Sequence, residues 1–429
     1  MNIEKSYIPR IADDQIKRYL ENFGAVEVAG AKWCGKTWSS LKQAKSASYV
    51  DSELDLAIAD PQMMLLGERP HLIDEWQEVP RIWDAVRRKV DEVACEPAQF
   101  ILTGSATPLV SAGSVPVHSG AGRFGRVRMY PMSLFESGES NGSVSLQGLF
   151  ENNFEPCKVE SDTGKLVDIV CRGGWPAVIS KRVKDGSLIA NEYIEYVCTR
   201  SFPKISLETD VALRLMRSLA KNDGQSATYK TILSDMFGKK ADNSSIMSEK
   251  TLGKYLSALT QMYLVDEING WAPQSRSKHR FLTKPKRYFA DPSLACAFLN
   301  LTPASLMKEW QTFGLFFENM VMRDLMVYSQ GLPHFGDHPL HYYHDDSGLE
   351  CDVIIELSDG RWAAIEIKVS ESKVEEACKN LLRLKKKLCF NPKSQTSPPE
   401  FMAVIVGISE YARQREDGIY VVPIRALTK

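Results

Sequence analysis

Residues 24–37 of the chain read GAVEVAGAKWCGKT, a short apolar run followed by a glycine-bounded loop and a Lys-Thr pair. The last eight residues match the pattern G-x-x-x-x-G-K-[ST], in which backbone N–H groups at a helix N-terminus surround phosphate oxygens. We therefore predict a strand that ends at Gly30, a phosphate loop over residues 30–37, and a helix that the loop opens. The residues expected to contact nucleotide are Gly30, Ala31, Lys32, Trp33, Cys34, Gly35, Lys36, Thr37 and Trp38.

The phosphate loop and the acidic pair Asp74–Glu75 are expected to act together on ATP. Lys36 is expected to reach the β- and γ-phosphates of ATP, and the hydroxyl of Thr37 to hold Mg²⁺. The stretch HLIDE at 71–75 reads as an apolar strand that ends in two carboxylates. Asp74 is expected to support the Mg²⁺ shell, and Glu75 to orient or activate a water molecule. This combination predicts ATP and Mg²⁺ as cofactors.

Other polar residues follow the next strand and a loop. ILTGS at 101–105 reads as a strand end, where Thr103 and Ser105 either sense the γ-phosphate or simply cap the strand. Arg123 and Arg126 come after residues 111–122, whose Gly and Ser content is typical of a mobile loop. Either arginine is predicted to stabilise phosphoryl charge, in its own subunit or in a neighbour; a solvated arginine is the alternative.

The order of strands and helices predicts the fold class. Strands alternate with helices over the first part of the chain, which is typical of an α/β domain with a parallel sheet; VRMYPMSLFE at 127–136 reads as a strand that leads into a helix. Residues 164–280 are mainly helical in pattern, and 248–268 resemble the helix and strand of a winged helix. An amphipathic helix at 314–329 and several short strands predict a second α/β domain. The expected domains are 1–150, 151–284 and 285–429.

Composition limits the class of protein. The 429 residues include 53 basic and 54 acidic side chains, so the overall charge gives no argument for nucleic-acid binding. Nine cysteines without C-x-x-C pairs are typical of reduced thiols rather than of disulfides or a zinc site. The N-terminus lacks an apolar signal segment, and no apolar run reaches the roughly 18–20 residues of a membrane helix. We therefore expect a cytoplasmic protein without a membrane partner.

The order of motifs resembles that of bacterial and archaeal AAA+-type ATPases with a C-terminal domain of unknown function, DUF4143. The matching segments are GAKWCGKT, LIDEWQEVP, ILTGSAT, GRFGRVRMYPMSLFE, RGGWP, TLGKYLSALTQMYLV, and FFENMVMRDL before CDVIIEL and AAIEIK. The resemblance implies an AAA-like P-loop ATPase core, a helical and winged-helix middle, and a C-terminal fold similar to restriction endonucleases. The chain departs from the family at 198–201, CTRS, where an aspartate usually follows the arginine.

The C-terminal region contains the D…E-x-K spacing of PD-(D/E)xK nucleases. Asp352 lies in the predicted strand CDVIIEL, and Glu366 and Lys368 share one face of the next strand, AIEIKV. Two such carboxylates bind a divalent metal that polarises a phosphodiester, and the lysine supports the nucleophile or the transition-state charge. Glu318 on the preceding helix is expected to complete the metal shell. The alternative is a salt-bridged remnant of this fold that only binds.

Three weaker patterns have two interpretations each. The first is a histidine-rich stretch, which is either a transition-metal site or a polar surface hairpin. Its spacing mixes loop and strand positions, which favours the hairpin. The stretch contains His334, His338, His341, His344, Asp345 and Asp346. The basic run 385–387 is either a solvated helix face or a contact for phosphates. The helix at 248–262 either reads duplex DNA or contacts a protein.

Three functions remain open from the sequence. The first is a Mg²⁺-dependent ATP-hydrolysing switch in which ATP reorders residues 111–126, coupled to a nuclease-like domain that faces DNA. The second is an ATP-dependent regulator of an unidentified protein partner, with an inert C-terminal domain. The third is a metal-dependent nuclease gated by ATP. A homo-oligomer is compatible with each, since a phosphate-contacting arginine is often supplied in trans.

Overall fold

The computed structural model describes residues 7–105, 119–180, 186–202, 207–238, 247–274, 283–390 and 396–429. By its internal contacts the chain divides into two compact units. The first comprises Met1–Pro131, Trp175–Arg182 and Leu256–Leu264, and the second comprises Met132–Gly174, Val183–Tyr255 and Val265–Lys429. Of the Gly- and Ser-rich segment at 111–122, residues 111–118 lie outside the described residues.

The first unit contains a parallel five-stranded sheet, which confirms the predicted α/β fold class for this part of the chain. Its strand order is β2-β3-β4-β1-β5, and every neighbouring pair is parallel. The strands are β1 (Ala25–Gly30), β2 (Ser46–Tyr49), β3 (His71–Asp74), β4 (Phe100–Gly104) and β5 (Phe124–Met129). The first four helices of the chain belong to this unit: α1 (Ile11–Leu20), α2 (Lys36–Gln43), α3 (Leu54–Ala59) and α4 (Arg81–Glu92).

Alternate residues of the central strands are buried against helices on opposite faces of the sheet. Val26 and Val28 share a core cluster with Ile16 of α1, whereas Ala25 and Phe100 share another with residues of α4. Because side chains of a strand point alternately to its two faces, continuous apolar runs such as AVEVAG suit a sheet covered on both sides. The parallel strands therefore bring all their carboxyl ends to one edge of the sheet.

The segment after β5 differs from the predicted helix. Residues 130–138 form turns, held by hydrogen bonds from Ser137 N–H to the Ser133 carbonyl and from the Ser133 N–H to the Glu136 carboxylate. Pro131 lacks an N–H and favours an extended residue before it, which explains why the strand does not continue into a helix here.

The second unit is built around a mixed seven-stranded sheet of order β10-β11-β12-β13-β15-β14-β7. Strand β12 pairs antiparallel with β11 and parallel with β13, and the helix Val374–Cys389 lies between β12 and β13 in the chain. The strands of this unit are β6 (Val144–Ser145), β7 (Cys157–Lys158), β8 (Val265–Ile268), β9 (Lys286–Phe289), β10 (Leu340–His344), β11 (Glu350–Glu356), β12 (Trp362–Ser370), β13 (Met402–Ile408), β14 (Tyr411–Gln414), β15 (Tyr420–Pro423) and β16 (Leu427–Thr428).

The remaining α-helices are α5 (Leu146–Phe150), α6 (Thr163–Arg172), α7 (Pro176–Ile179), α8 (Gly186–Tyr196), α9 (Thr209–Lys221), α10 (Tyr229–Phe237), α11 (Glu249–Gln261), α12 (Pro292–Phe298), α13 (Pro303–Leu306), α14 (Trp310–Tyr328) and α15 (Val374–Cys389). Helix α7 belongs to the first unit, and α11 ends within it. The prediction that α14 is amphipathic was wrong, because every residue from Asn319 to Tyr328 is buried. It packs against α6, α12 and β12.

The polar residues of α14 have a structural role. The guanidinium of Arg323 lies 2.9 Å from Asp291 and 2.7 Å from Asp324, and all three side chains are buried. Asp291 also accepts from the N–H of Gly174, and Asp324 from the N–H of Leu134. Residues of RGGWP, MYPMSLFE and FFENMVMRDL thus meet in one ion-paired cluster, which satisfies the buried charges.

Two further observations concern the whole chain. All nine cysteines are free thiols. Within the described ranges, the search for a helix long and apolar enough to span a bilayer finds no candidate.

Candidate functional sites

The predicted phosphate loop connects the carboxyl end of β1 to the N-terminus of α2. Gly30 has no room for a side chain, since a Cβ there would lie 2.2 Å from the carbonyl oxygen of Met129. Gly35 has φ +105°, a conformation that favours glycine. The ammonium of Lys36 donates to the carbonyl of Ala31 at 2.9 Å, so the lysine lies across its own loop. The exposed ring of Trp33 completes the loop.

Thr37 and Asp74 lie together at the carboxyl edge of the sheet. The Thr37 hydroxyl donates to the Asp74 carboxylate at 3.0 Å, and the Thr103 hydroxyl donates to the same carboxylate. Burial raises the pKa of Asp74 and the charge of Glu75 adds to this effect, while the two hydroxyls oppose it. A hydroxyl beside a carboxylate is the donor set that Mg²⁺ takes in P-loop sites, so these residues fit the predicted ion.

Glu75 follows directly and is held by other partners. Its backbone is left-handed, with φ +56°. Its carboxylate accepts from the Ser105 hydroxyl at 3.1 Å and from the side-chain amide of Gln77. Thr103 and Ser105 thus each contact one of the two acidic residues, and a γ-phosphate-sensing role for them remains a prediction. The arrangement orients a carboxylate next to the phosphate loop.

Arg123 lies at the far end of the sheet from the phosphate loop. Ala25 pairs with Phe124 and Gly30 with Met129, so residue 123 precedes the amino end of β5. At about 3.3 Å per residue, five strand residues separate this end from the loop by roughly 16 Å. Arg123 binds Asp91 at 2.8 Å instead. The interpretation that it acts on phosphate in its own subunit is therefore corrected, and only a role in a neighbouring subunit stays a prediction.

Arg126 also faces away from the loop. Its guanidinium donates to the hydroxyl of Tyr263 at 3.0 Å and lies 3.8 Å from Glu27 in the middle of β1. Its neighbour Arg128 stacks on the same Tyr263 ring at 4.1 Å. These contacts indicate a cation–aromatic cluster on one face of the sheet rather than a phosphate contact in its own subunit.

The sequence analysis missed Arg10, which contacts the phosphate loop. Its guanidinium donates to the carbonyl of Cys34 at 2.7 Å and to that of Tyr130 at 2.8 Å, and the residue is only 7% exposed. A Cβ on Gly35 would lie 3.2 Å from the same guanidinium. Arg10 therefore joins the loop to the residue after β5. No motif marks it, because it stands before α1 and approaches the loop only in the folded chain.

We expect the Arg10→Lys variant to bind ATP roughly tenfold more weakly, a change of about 1.4 kcal/mol. A lysine ammonium lacks the planar fork that binds both carbonyls, so the loop loses one fixed contact. Calorimetric titration with ATP measures the change, with Arg18→Lys on the exposed side of α1 as the matched control. Unchanged affinity in a variant that melts at the native temperature contradicts this role.

The C-terminal D…E-x-K residues come together in the second unit. The ammonium of Lys368 lies 3.0 Å from Asp352 and 2.6 Å from Glu366. Asp352 also accepts from the N–H of Ile367 at 2.8 Å, and Glu366 from the side-chain amide of Asn380 at 2.6 Å. Burial, together with the charge of Asp352, raises the pKa of Glu366 to about 8. The site is a compact, internally bonded group of charges.

Glu318 joins this group through other partners. Its carboxylate accepts from the Tyr288 hydroxyl at 2.7 Å and lies 3.6 Å from the ammonium of Lys286. Among the residues that the structure describes, no group of three or more His, Cys, Asp or Glu side chains has the geometry to hold a metal ion. The carboxylates of this group are bonded to lysine, amide and hydroxyl donors.

The histidine-rich stretch and the basic run have ordinary surroundings. His334 contacts the carbonyl of Leu332, and His341 on β10 lies 4.0 Å from Glu356. Lys387 binds Asp345 at 2.5 Å on the surface. These contacts match a polar surface hairpin and a solvated helix end.

Comparison with known proteins adds the family context. Residues 22–137 match an AAA domain, residues 313–427 match the domain of unknown function DUF4143, and residues 163–305 match the domain of unknown function DUF8612. The first and second matches confirm the two domain types that the motif order predicted. No curated protein matches the chain.

Similar solved structures include the Walker-type ATPase PABY2304 of Pyrococcus abyssi. Its sequence is 14% identical to this chain, and the TM-score is 0.43. The match covers 69% of this chain and 97% of the Pyrococcus abyssi chain. A DNA replication initiation factor is 12% identical, with 61% and 95% covered and a TM-score of 0.26. Because both similarities are distant, they carry no argument about function.

Proposed function

We propose that this chain, which combines an AAA-type P-loop ATPase domain with a C-terminal DUF4143 domain, is a Mg²⁺-dependent ATP-hydrolysing switch. The observation that carries the proposal is the contact of Thr37 with Asp74, 3.0 Å apart, beside a separately held Glu75. A phosphate loop, a metal-supporting carboxylate and an oriented second carboxylate are the parts that ATP hydrolysis needs. Its free thiols suit a cytoplasmic location.

Each side chain has a separate task in this mechanism. Lys36 exchanges the Ala31 carbonyl for the β- and γ-phosphate oxygens of ATP, while the loop N–H groups bind the phosphates. Glu75 accepts a hydrogen bond from the attacking water and takes its proton, and Ser105 keeps this carboxylate oriented. Thr37 and Asp74 would hold Mg²⁺, and the bound ion would neutralise charge on the phosphates.

We further propose that the switch is coupled to a nuclease-like C-terminal domain that contacts duplex DNA. Helix α15 exposes Lys379, Arg383 and Lys386, which share one face because they are four and three residues apart. Such a row of cations suits a line of phosphates. The order of α9, α10 and α11 before the antiparallel pair β8–β9 supports a winged-helix interpretation of the middle region.

A second candidate function is an ATP-dependent regulator of a protein partner, with an inert C-terminal domain. The favouring observation is that Lys368 bonds both Asp352 and Glu366, so the acidic group is internally neutralised. Winged helices also contact proteins, and α11 fits this alternative equally well. The two candidates share the nucleotide site and differ in what the switch controls.

Duplex DNA distinguishes the two candidates. We expect it to stimulate ATP hydrolysis severalfold, because phosphate binding on α15 stabilises one state of the switch. The double variant Lys379→Ala/Arg383→Ala should lose the stimulation and keep the basal rate. Lys308→Ala/Arg200→Ala removes two exposed cations outside α15 and serves as the control. A rate indifferent to DNA rejects the DNA-coupled switch and favours the protein regulator.

A further inference from the structure

A second lysine, Lys286 of β9, enters the C-terminal acidic site. Its ammonium lies 2.8 Å from the carboxylate of Glu350 and 3.6 Å from that of Glu318, and the residue is 6% exposed. Lys368 is the one lysine of the D…E-x-K pattern, and Lys286 is a second cation from outside that pattern. It comes from the β8–β9 pair, whose strands run antiparallel.

The two lysines divide the carboxylates between them. Lys368 binds Asp352 and Glu366, and Lys286 binds Glu350 and approaches Glu318. Mg²⁺ and Ca²⁺ take six or more oxygen ligands in proteins and need at least one or two carboxylates turned toward them. Here each of those carboxylates already accepts from a protein donor. An incoming ion has to displace an ammonium group to obtain its ligands.

Burial makes such a displacement costly. A lysine charge removed from water requires anionic partners, and within the part of the chain that the structure describes Lys286 forms ion pairs with Glu318 and Glu350. Although burial disfavours its charge, the carboxylates of Glu318, Asp352 and Glu350 raise the pKa of Lys286. The side chain is also packed over the ring of Tyr342, 5.3 Å from its centre. The ammonium is therefore charged and fixed in position.

We propose that Lys286 is a tethered cation that takes the place of the divalent ion in this D…E-x-K arrangement, so that the native site binds no metal. The inference rests on the proposed nuclease-like nature of the C-terminal domain and is independent of ATP hydrolysis. Because phosphodiester cleavage by such a site needs a metal-polarised phosphate, the native domain cleaves no nucleic acid. Contact with DNA through the exposed face of α15 is unaffected.

Binding of Mn²⁺ to the full chain tests the proposal directly. Asp74→Asn is introduced in every sample to remove the nucleotide-site carboxylate, and free Mn²⁺ is counted by electron paramagnetic resonance without nucleotide. In this background we expect no Mn²⁺ bound at the C-terminal site when Lys286 is present. Lys286→Met should create one site per chain, with affinity at least about tenfold tighter than the background, because removal of the ammonium leaves Glu350 and Glu318 without their cation.

Two controls locate the gained site. Lys284→Met removes an exposed lysine of the same segment and should bind no additional Mn²⁺. Adding Glu350→Gln to the Lys286→Met protein should abolish the gain, since the Glu350 carboxylate is the one that lies 2.8 Å from the Lys286 ammonium in the native site. Circular dichroism and the melting temperature establish that each variant is folded.

Two results overturn the proposal. One is a Mn²⁺ site in the protein with Lys286 intact that disappears with Asp352→Asn. The other is a folded Lys286→Met protein that gains no Mn²⁺. If Lys286→Met does not fold, Lys286→Gln replaces it and should gain the same Mn²⁺ site. ATP hydrolysis in the chain with Asp74 intact is a separate result, so failure of one proposal is distinguishable from failure of the other.

Discussion

The Lys36→Ala variant is expected to lose ATP turnover by at least about a hundredfold, the cost of removing one charge-stabilising donor from a preorganised site. Lys36 begins α2 and is buried, and its ammonium donates to the carbonyl of Ala31 at 2.9 Å. The ammonium is therefore placed to bind the phosphates of ATP, and the fold does not depend on it. Steady-state release of phosphate from Mg·ATP measures the loss.

The matched control for Lys36→Ala is Lys45→Ala, an exposed lysine just beyond the end of α2. This control should hydrolyse ATP at the native rate, because it removes the same charge from the same segment without touching the loop. A Lys36→Ala protein that retains turnover would show that hydrolysis occurs elsewhere in the chain. Equal losses in both variants would indicate a general charge effect instead of a phosphate contact.

The Glu75→Gln variant should bind ATP with near-native affinity and hydrolyse it about 10²- to 10⁴-fold more slowly, the range for loss of a general base. A glutamine keeps the size of the side chain and still accepts from Ser105, whose hydroxyl lies 3.1 Å from the native carboxylate. It cannot take a proton from water. Calorimetric titration measures binding, and single-turnover phosphate release measures the chemical step.

The control for this second prediction is Glu78→Gln, three residues along the chain and exposed to solvent. Its turnover should equal that of the native protein. If Glu75→Gln weakens ATP binding and slows turnover to the same extent, the carboxylate stabilises bound ATP and is not the general base. If Glu75→Gln hydrolyses ATP at the native rate, another group is the general base.

The ATPase half of the fold was predictable because its signals are local. The apolar run AVEVAG, the following glycine loop and Lys36 occupy one continuous stretch, and the alternation of strands and helices indicates a parallel sheet. The carboxyl ends of parallel strands meet at one edge, which is how Thr37 on α2 and Asp74 on β3 come to lie 3.0 Å apart.

The remaining features depend on contacts between distant segments. Arg10 reaches Cys34 and Lys286 reaches Glu350 only in the folded chain, and neither belongs to a motif. The position of Arg123 follows from the parallel pairing of β5 with β1, because the sequence places Arg123 before β5 but does not show the direction in which β5 runs in the sheet. Helix α14 was misjudged because Arg323 and Asp324 are polar in sequence, whereas in the structure they neutralise each other.

The central claim is that the phosphate loop and the Asp74–Glu75 pair form a Mg²⁺-dependent ATPase. The most direct measurement is phosphate release from ATP by the purified native chain, with Mg²⁺ and with excess EDTA, beside the Lys36→Ala protein in Mg²⁺. We predict release that requires Mg²⁺ and is lost in Lys36→Ala. Release of phosphate that persists in EDTA, or equally in both proteins, would contradict the account.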